Sequence, residues 1–146
     1  MKLSSRGKYG MYAMVYLAKQ AGNGPQPLKA IAGAGIPEPY LEQLLGSLRR
    51  SGLVETVRGV QGGYMLARTP MEITVGDVLN ATEGPLHLAE CVSEERSCKK
   101  SKGCASRMVW EYLDDKINDV LHRVTLGEML DKSGCVGADT ALLEEV

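Results

Sequence analysis

The fold of this chain is decided by the stretch PYLEQLLGSLRRSGLVETVRGVQGGYMLAR, residues 39–68. In its first half leucines recur every three or four positions, which predicts an amphipathic helix from Glu38 to Ser51, ended by Gly52. In its second half two runs of alternating apolar and polar residues, LVETV and YMLAR, flank the glycine-rich RGVQGG. This pattern predicts a β-hairpin directly after the helix.

Two further helices are predicted before this stretch. Apolar residues at helical spacing indicate a first helix from Ser5 to Ala21, with Gly22 as its C-cap. A second, short helix is expected over LKAIAGA, with Pro27 at its first position. A short helix, a glycine-containing turn, a longer helix and a hairpin are typical of a winged helix-turn-helix, whose longer helix enters the major groove of DNA.

The second half of the chain is predicted to be helical. Thr74 with Asp77, and Thr125 with Glu128, match the capping-box pattern that opens a helix. Between them a long apolar stripe indicates a helix from about Ser106 to Val124. The fold class is therefore mainly α with a small β-hairpin. We divide the chain into a winged helix-turn-helix at 1–70, a loop with further helices at 71–131 and a flexible tail at 132–146.

The charge of the chain is unevenly distributed. Of 17 basic and 18 acidic residues, nine basic and three acidic ones lie in residues 1–70, leaving a surplus of +6 there and −7 in the remainder. Such asymmetry favours a nucleic-acid-binding half. The sequence shows neither an apolar run long enough to span a membrane nor a recognisable catalytic constellation. We therefore expect a cytoplasmic protein that is not an enzyme and does not act at a membrane.

Candidate DNA contacts follow from these elements. Near the start of the third helix, Gln43 can bond adenine, and Glu42 can accept from a cytosine amino group. In the hairpin turn Arg58 suits a minor groove, and Gly62 allows a close approach to the sugar-phosphate chain. The remaining candidates are Tyr40 and Glu38 for base edges, Gly63 in the turn, and Lys2, Arg6, Lys8, Arg49 and Arg50 for phosphates.

Three of the four cysteines lie in the polar segment CVSEERSCKKSKGC, residues 91–104. The spacing of Cys91, Cys98 and Cys104 suits neither a zinc ribbon nor a C-x-x-C redox motif. Loop thiolates separated by flexible, basic residues can instead surround a larger inorganic core, as in iron–sulfur proteins. Cys135 has no partner in sequence and is treated as incidental.

The motifs MKLSSRGKYG, YLEQL followed by SGLV and RG-x-x-GGY, and ITVGDVLNATEG resemble the IscR/NsrR/CymR (Rrf-two) family of bacterial winged-helix transcription factors, over residues 1 to about 131. The resemblance implies a homodimer, formed through the long helix, that represses at an imperfect palindrome in double-stranded DNA. It places base contacts on Tyr40, Glu42 and Gln43, although Pro39 stands where the IscR type usually has Ser.

The resemblance also implies that Cys91, Cys98 and Cys104 hold an iron–sulfur cluster, and we expect [2Fe-2S] rather than [4Fe-4S]. The fourth ligand departs from the family pattern. IscR-type members have a His where Arg107 stands here, and NsrR-type members use a carboxylate from the partner at the position of Lys8. Neither cationic side chain suits a cluster ligand. The alternatives are His87, Glu90, Glu94, Glu95 and an exogenous ligand.

The leading hypothesis is a transcriptional regulator that senses iron–sulfur cluster status and controls cluster biogenesis genes. The alternatives are a sensor of nitric oxide or redox state, or a CymR-like regulator of cysteine metabolism that needs no cluster. Members of the CymR type lack the three cysteines, which favours the cluster hypothesis.

Overall fold

A computed structural model describes residues 2–93, 99 and 102–133 of the 146-residue chain. Cys98, Cys135, Glu94, Glu95 and the tail from residue 134 lie outside this part. The described chain is mainly helical and contains a two-stranded antiparallel sheet, as predicted.

Three helices come first: α1 (Ser5–Lys19), α2 (Leu28–Ala32) and α3 (Glu38–Arg50). The Ser4 side chain caps α1 by accepting from the backbone N–H of Arg6 and Gly7. This helix ends two residues before the predicted Ala21, because the last amides bond carbonyls three residues back and tighten the turn. Similarly, α2 ends at Ala32 rather than at residue 34, and Pro27 lies at its N-cap.

The predicted hairpin is present as β1 (Val54–Val57) and β2 (Gly63–Leu66), with Val54 opposite Leu66. An isolated antiparallel β-bridge joins Tyr64 of the hairpin to Gln26, and in it the backbone N–H of each residue donates to the carbonyl of the other. The bridge fixes the hairpin beside the turn that precedes α2.

A 3-10 helix (Pro70–Glu72) leads into α4 (Val75–Glu83), and each begins with a capping box. Hydrogen bonds from the Thr69 hydroxyl and backbone N–H hold the pKa of Glu72 below its ordinary value. The Thr74–Asp77 box confirms the predicted start of α4.

After α4 the chain forms a short 3-10 helix (Glu90–Val92), the long α5 (Ala105–Arg123) and α6 (Leu126–Ser133). The predicted capping of α6 is confirmed, since Thr125 and Glu128 exchange hydrogen bonds. Helix α6 includes the first two residues of the tail predicted at 132–146.

One core unites the two predicted halves. Its fully buried side chains come mainly from α1, α2, α3, α4 and α6, and include Met14, Leu41, Leu45, Val78 and Leu126. Backbone hydrogen bonds from Leu126 to Ile73 and from Val75 to Val124 attach α6 beside the start of α4. The chain after residue 70 therefore completes the core of the DNA-binding half.

Candidate nucleic-acid interface and cysteine region

Helix α3 has one buried and one exposed face. Its four leucines are completely buried, whereas Glu42, Gln43, Arg49 and Arg50 are exposed. The leucine spacing that fixes the helix in the core thus turns the predicted base-reading and phosphate-binding side chains outward. The Arg50 guanidinium donates to the Ser47 hydroxyl at 3.1 Å, which directs this cation along the exposed face.

Tyr40, also predicted to reach bases, is half-buried at the start of α3. Its ring packs edge-on against Tyr9 of α1, with centroids 5.6 Å apart, and Tyr9 packs in turn against the half-exposed Tyr12. The aromatic contacts restrain the N-terminal end of α3 against α1.

The predicted phosphate contacts from the N-terminus have different surroundings. Lys2 and Lys8 are exposed. Arg6 is partly buried and donates its Nε to the Thr82 carbonyl at 2.9 Å and an Nη to the Ser47 hydroxyl at 3.3 Å. The Arg6 guanidinium therefore connects the last turn of α4 to α3, a role that the sequence did not suggest.

The hairpin turn carries Arg58 in an exposed position, as a wing requires. A Cβ on Gly62 would collide with the Val57 carbonyl, and one on Gly63 with the backbone of Gln26. Packing within the chain therefore already requires these glycines, independently of any approach to DNA. Val60, at the tip, is fully exposed and was not singled out from the sequence.

Two of the three clustered cysteines are described. Cys91 is half-buried in the 3-10 helix Glu90–Val92, which packs against α5, and Cys104 is exposed at the N-cap of α5. Both thiols are free. Within the described part of the chain, no three His, Cys, Asp or Glu side chains form a group that could hold a metal ion.

His87, a predicted candidate ligand, is attached to the middle of α5. Its Nδ1 lies 3.2 Å from Oδ2 of Asp114, and the Leu88 backbone N–H donates to Oδ1 of the same carboxylate at 2.6 Å. Asp114 is the buried charged residue of α5, 8% exposed. Asn118 adds a hydrogen bond to the Leu86 carbonyl, so the segment before Cys91 follows the helix closely.

Arg107, at the position where IscR-type proteins have a histidine, forms an ion pair with Glu111 one turn later. Its Nε lies 2.6 Å from Oε1 of Glu111. The pair borders a groove of about 360 Å³ whose other walls are Gly103, Cys104, Ala105 and Met108. Glu111 and the exposed Cys104 both line this groove, an arrangement that no sequence motif had indicated.

Much of the apolar surface of α5 has no cover within the chain. Met108, Val109 and Tyr112 are more than half exposed, and Trp110, Leu113 and Val120 are more than a third exposed. A second groove, of about 630 Å³, runs along this helix and is lined chiefly by Tyr112, Leu113, Lys116, Ile117, Val120 and Leu121. The apolar stripe that predicted the helix therefore faces outward to a large extent.

A helix with a polar exposed face, a basic surface beside it and a two-stranded wing define a winged-helix DNA-binding protein. More particularly, the chain belongs to the Rrf2 family, whose model, described as "Iron-dependent Transcriptional regulator", matches residues 3–132. This is a family of transcriptional regulators and not of enzymes. No helix of the described residues is both long and apolar enough to cross a membrane.

Relatives of two kinds are similar to this chain. The transcriptional regulator CymR of Bacillus subtilis is 40% identical over 130 residues, covering 88% of this chain and 89% of that protein. The transcriptional regulator IscR of Pectobacterium atrosepticum is 39% identical over 132 residues, covering 90% and 80% respectively.

Solved structures of both CymR and IscR are also similar to this chain. The structure of CymR (YrzC), the global cysteine regulator of B. subtilis, matches with a TM-score of 0.78 at 38% identity, covering 90% of this chain and 97% of that one. The structure of T. potens IscR matches with a TM-score of 0.75 at 42% identity, covering 91% and 88%. The predicted family and fold class are confirmed. Overall similarity does not separate the cluster-sensing from the cysteine-regulating type.

Proposed function

We propose that this protein is a homodimeric repressor that senses iron–sulfur cluster status and controls genes of cluster biogenesis. The proposal rests on the spacing of Cys91, Cys98 and Cys104 in the sequence. One thiol is exposed at the N-cap of α5, and a second is on a 3-10 helix packed against α5. When bound, an iron–sulfur cluster supplies a centre that responds to iron, oxygen and reductants.

The described donors and their surroundings are compatible with such a cluster. Cys91 and Cys104 are free thiols, and the exposed Lys99 and Lys102 lie in the intervening segment. Cationic side chains near a thiol favour its thiolate form and offset the negative charge of a thiolate-ligated cluster. We propose Cys98 as the third cysteine ligand, and a [2Fe-2S] rather than a [4Fe-4S] core.

For DNA binding we propose that α3 lies in the major groove and the hairpin lies over an adjacent minor groove. Glu42, Gln43 and Tyr40 then contact base edges, while Arg58 and Gly62 approach the minor groove. The phosphate contacts are assigned to Lys2, Arg6, Arg49 and Arg50. For Arg6 this requires sharing its guanidinium with Thr82 and Ser47.

The operator is proposed to be an imperfect palindrome, which a two-fold dimer reads with two copies of α3. Its dimer contact is assigned to the exposed apolar face of α5 and the groove along it. Burying such a face against a second copy removes apolar surface from water in both subunits.

The cluster is tested by anaerobic purification. The wild-type protein is expected to be coloured, to show sulfur-to-iron charge-transfer absorption and to contain iron and acid-labile sulfide. Cys98→Ala is expected to remove the colour, whereas Cys135→Ala, which alters the remaining cysteine, is expected to retain it. A colourless wild-type protein that carries only zinc would refute the cluster.

The DNA interface is tested by binding to the promoter region of the protein's own gene at several salt concentrations. Gln43→Ala is expected to reduce discrimination at one base pair by about 1–3 kcal/mol. Arg50→Ala is expected to weaken binding to all DNA sequences alike. It is also expected to reduce, by about 1, the magnitude of the slope of log affinity against log salt concentration. Lys19→Ala removes an exposed cation outside the proposed interface and serves as the control. Equal losses in all three variants would contradict the assignment.

A second candidate function, regulation of cysteine metabolism without a cluster, is favoured by the similarity to the CymR sequence and structure. Genome-wide occupancy distinguishes the two. Cluster sensing predicts binding upstream of cluster-assembly genes that changes with iron supply and in the Cys98→Ala strain. Cysteine regulation predicts binding upstream of sulfur-metabolism genes that is the same in both strains. Occupancy that responds to nitric oxide alone would instead indicate a nitric-oxide sensor.

A further inference from the structure

We propose that Val60, at the tip of the hairpin, selects A·T base pairs beneath the wing by packing on the floor of the DNA minor groove. The 2-amino group of guanine projects from this floor and obstructs such a contact. The inference deepens the proposed function and rests on it, since it presupposes that the hairpin lies over a minor groove. It adds a residue that discriminates between base pairs to Arg58, which supplies positive charge at the same place.

Val60 is one of the two central residues of a tight turn. The turn closes with a hydrogen bond from the backbone N–H of Gly62 to the carbonyl of Gly59, at 3.1 Å. Its central residues are Val60 and Gln61, and both are exposed. The glycines on either side carry no side chains. The turn therefore presents just two side chains at the end of the hairpin, which makes the tip narrow.

Neither turn chemistry nor packing accounts for a valine at this position. Turns favour glycine, proline, asparagine, aspartate and serine, whereas β-branched residues favour strands. The Val60 side chain is fully exposed and lies outside the core that the described residues form. Its isopropyl group is therefore available to a partner that meets the tip of the hairpin.

The charge around Val60 suits a nucleic-acid partner. Arg58, two positions earlier, is exposed as well. The sequence from residue 56 to residue 71 contains Arg58 and Arg68 and no Asp or Glu. The exposed apolar side chain thus belongs to a segment with a surplus of positive charge, which a phosphate backbone can approach without repulsion.

The chemistry of the minor groove determines what a valine there can distinguish. The groove is about 6 Å wide, and an A·T pair in either orientation presents only acceptors on its floor, whereas a G·C pair adds the amino group of guanine. Against an apolar side chain this amino group loses its water and finds no acceptor, which is unfavourable. Val60 therefore favours A·T pairs, and Arg58 beside it can donate to their acceptor atoms.

The test uses the promoter region of the protein's own gene in three synthetic forms. One has the natural bases, the second has 2,6-diaminopurine in place of every adenine, and the third has hypoxanthine in place of every guanine. Diaminopurine adds an amino group in the minor groove and hypoxanthine removes one. Neither changes the hydrogen-bonding groups in the major groove, where α3 is proposed to bind. The dissociation constant of the full-length protein is measured for each DNA.

The proteins compared are the wild type, Val60→Ala, Val60→Ile and Val57→Ala. Alanine removes two methyl groups from the tip, whereas isoleucine retains a β-branched apolar side chain. Val57 is a 43% exposed valine of β1 outside the turn, and its substitution is the matched control. Each protein is judged by the ratio of its affinities for two DNAs, so a general loss of binding or of folded protein cancels.

The affinity of the wild type is expected to fall at least about tenfold on diaminopurine DNA, and Val60→Ile and Val57→Ala are expected to show the same loss. For Val60→Ala the loss is expected to be less than about threefold, because the smaller side chain leaves room for the added amino group. Hypoxanthine DNA is expected to bind the wild type at least as tightly as natural DNA, since it lacks the obstructing group.

The outcomes separate this inference from the proposed function. Equal affinity of the wild type for natural and diaminopurine DNA overturns the selection of A·T pairs and leaves the proposed function intact. Equal losses in the wild type and Val60→Ala overturn the role of Val60 and assign the effect to groove shape or to Arg58. Failure of the wild type to bind any of the three DNAs overturns the proposed operator interface, and this inference with it.

Discussion

Gly10 marks the closest approach between α1 and the end of α4. A Cβ at this position would lie 2.6 Å from Cγ2 of Thr82. Thr82 is 4% exposed and its hydroxyl donates to the Val78 carbonyl at 2.9 Å, so its side chain has no room to turn away. In the sequence this glycine only interrupts a helical stripe, because a close contact with a residue 72 positions later leaves no local signal.

Gly10→Ala is therefore expected to destabilise the protein, although alanine is the better helix former. Overpacking of this kind costs about 1–3 kcal/mol, against a gain in helix propensity of about 1 kcal/mol. The measurement is the free energy of unfolding in urea.

Gly46→Ala provides the control for this substitution. In α3 the new methyl group meets only an Arg50 nitrogen at 3.5 Å, an ordinary contact, so a gain of about 0.5–1 kcal/mol is expected. If both variants were stabilised, the tight α1–α4 contact would be refuted.

At the scale of elements, the predicted helices and hairpin are present because their signals are local. Capping residues, leucine spacing and glycines at the ends act within a few positions of one another. The surroundings of α5 were less predictable. A helix buried in a core shows the same kind of apolar stripe as α5. In α5, however, Met108 is 75% exposed while Asp114 is buried. The groups that bond Asp114 belong to an aperiodic loop 26 and 27 residues away.

Asp114→Ala is expected to detach the segment that leads to Cys91 from α5. The change leaves the Leu88 amide and His87 without their acceptor, at a cost of about 1–3 kcal/mol. Hydrogen exchange at the Leu88 amide and the free energy of unfolding measure the effect. Asp115→Ala, at an exposed neighbouring position, is expected to remain within about 0.5 kcal/mol of wild type. Unchanged exchange in Asp114→Ala would contradict the contact.

At the scale of the whole molecule, the sequence suggested a boundary near residue 70, but the core extends across it. Ile73, Val78 and Leu126 are fully buried together with Met14 and Leu41. The charge asymmetry correctly indicated DNA binding but did not indicate how the halves pack, because most charged side chains lie on the surface and the core is apolar.

The assembly of the molecule is tested at Leu113, which lines the groove along α5 and is 38% exposed. Leu113→Glu is expected to place like charges across a two-fold contact and to yield monomers in sedimentation experiments. Operator affinity is expected to fall by at least about tenfold, because a monomer reads only half a palindrome. Asp115→Ala is the control. If the Leu113→Glu protein remained dimeric, the dimer interface would not lie at this groove.

The contact made by Arg6 has a thermodynamic consequence. One guanidinium ties the carbonyl of Thr82, at the exit of α4 toward the cysteine segment, to the hydroxyl of Ser47 on the helix assigned to the operator. Coupling between two binding sites is reciprocal. If the proposed cluster changes operator affinity, operator binding changes the affinity for the cluster by the same factor. In that case the promoter influences cluster occupancy as well as responding to it.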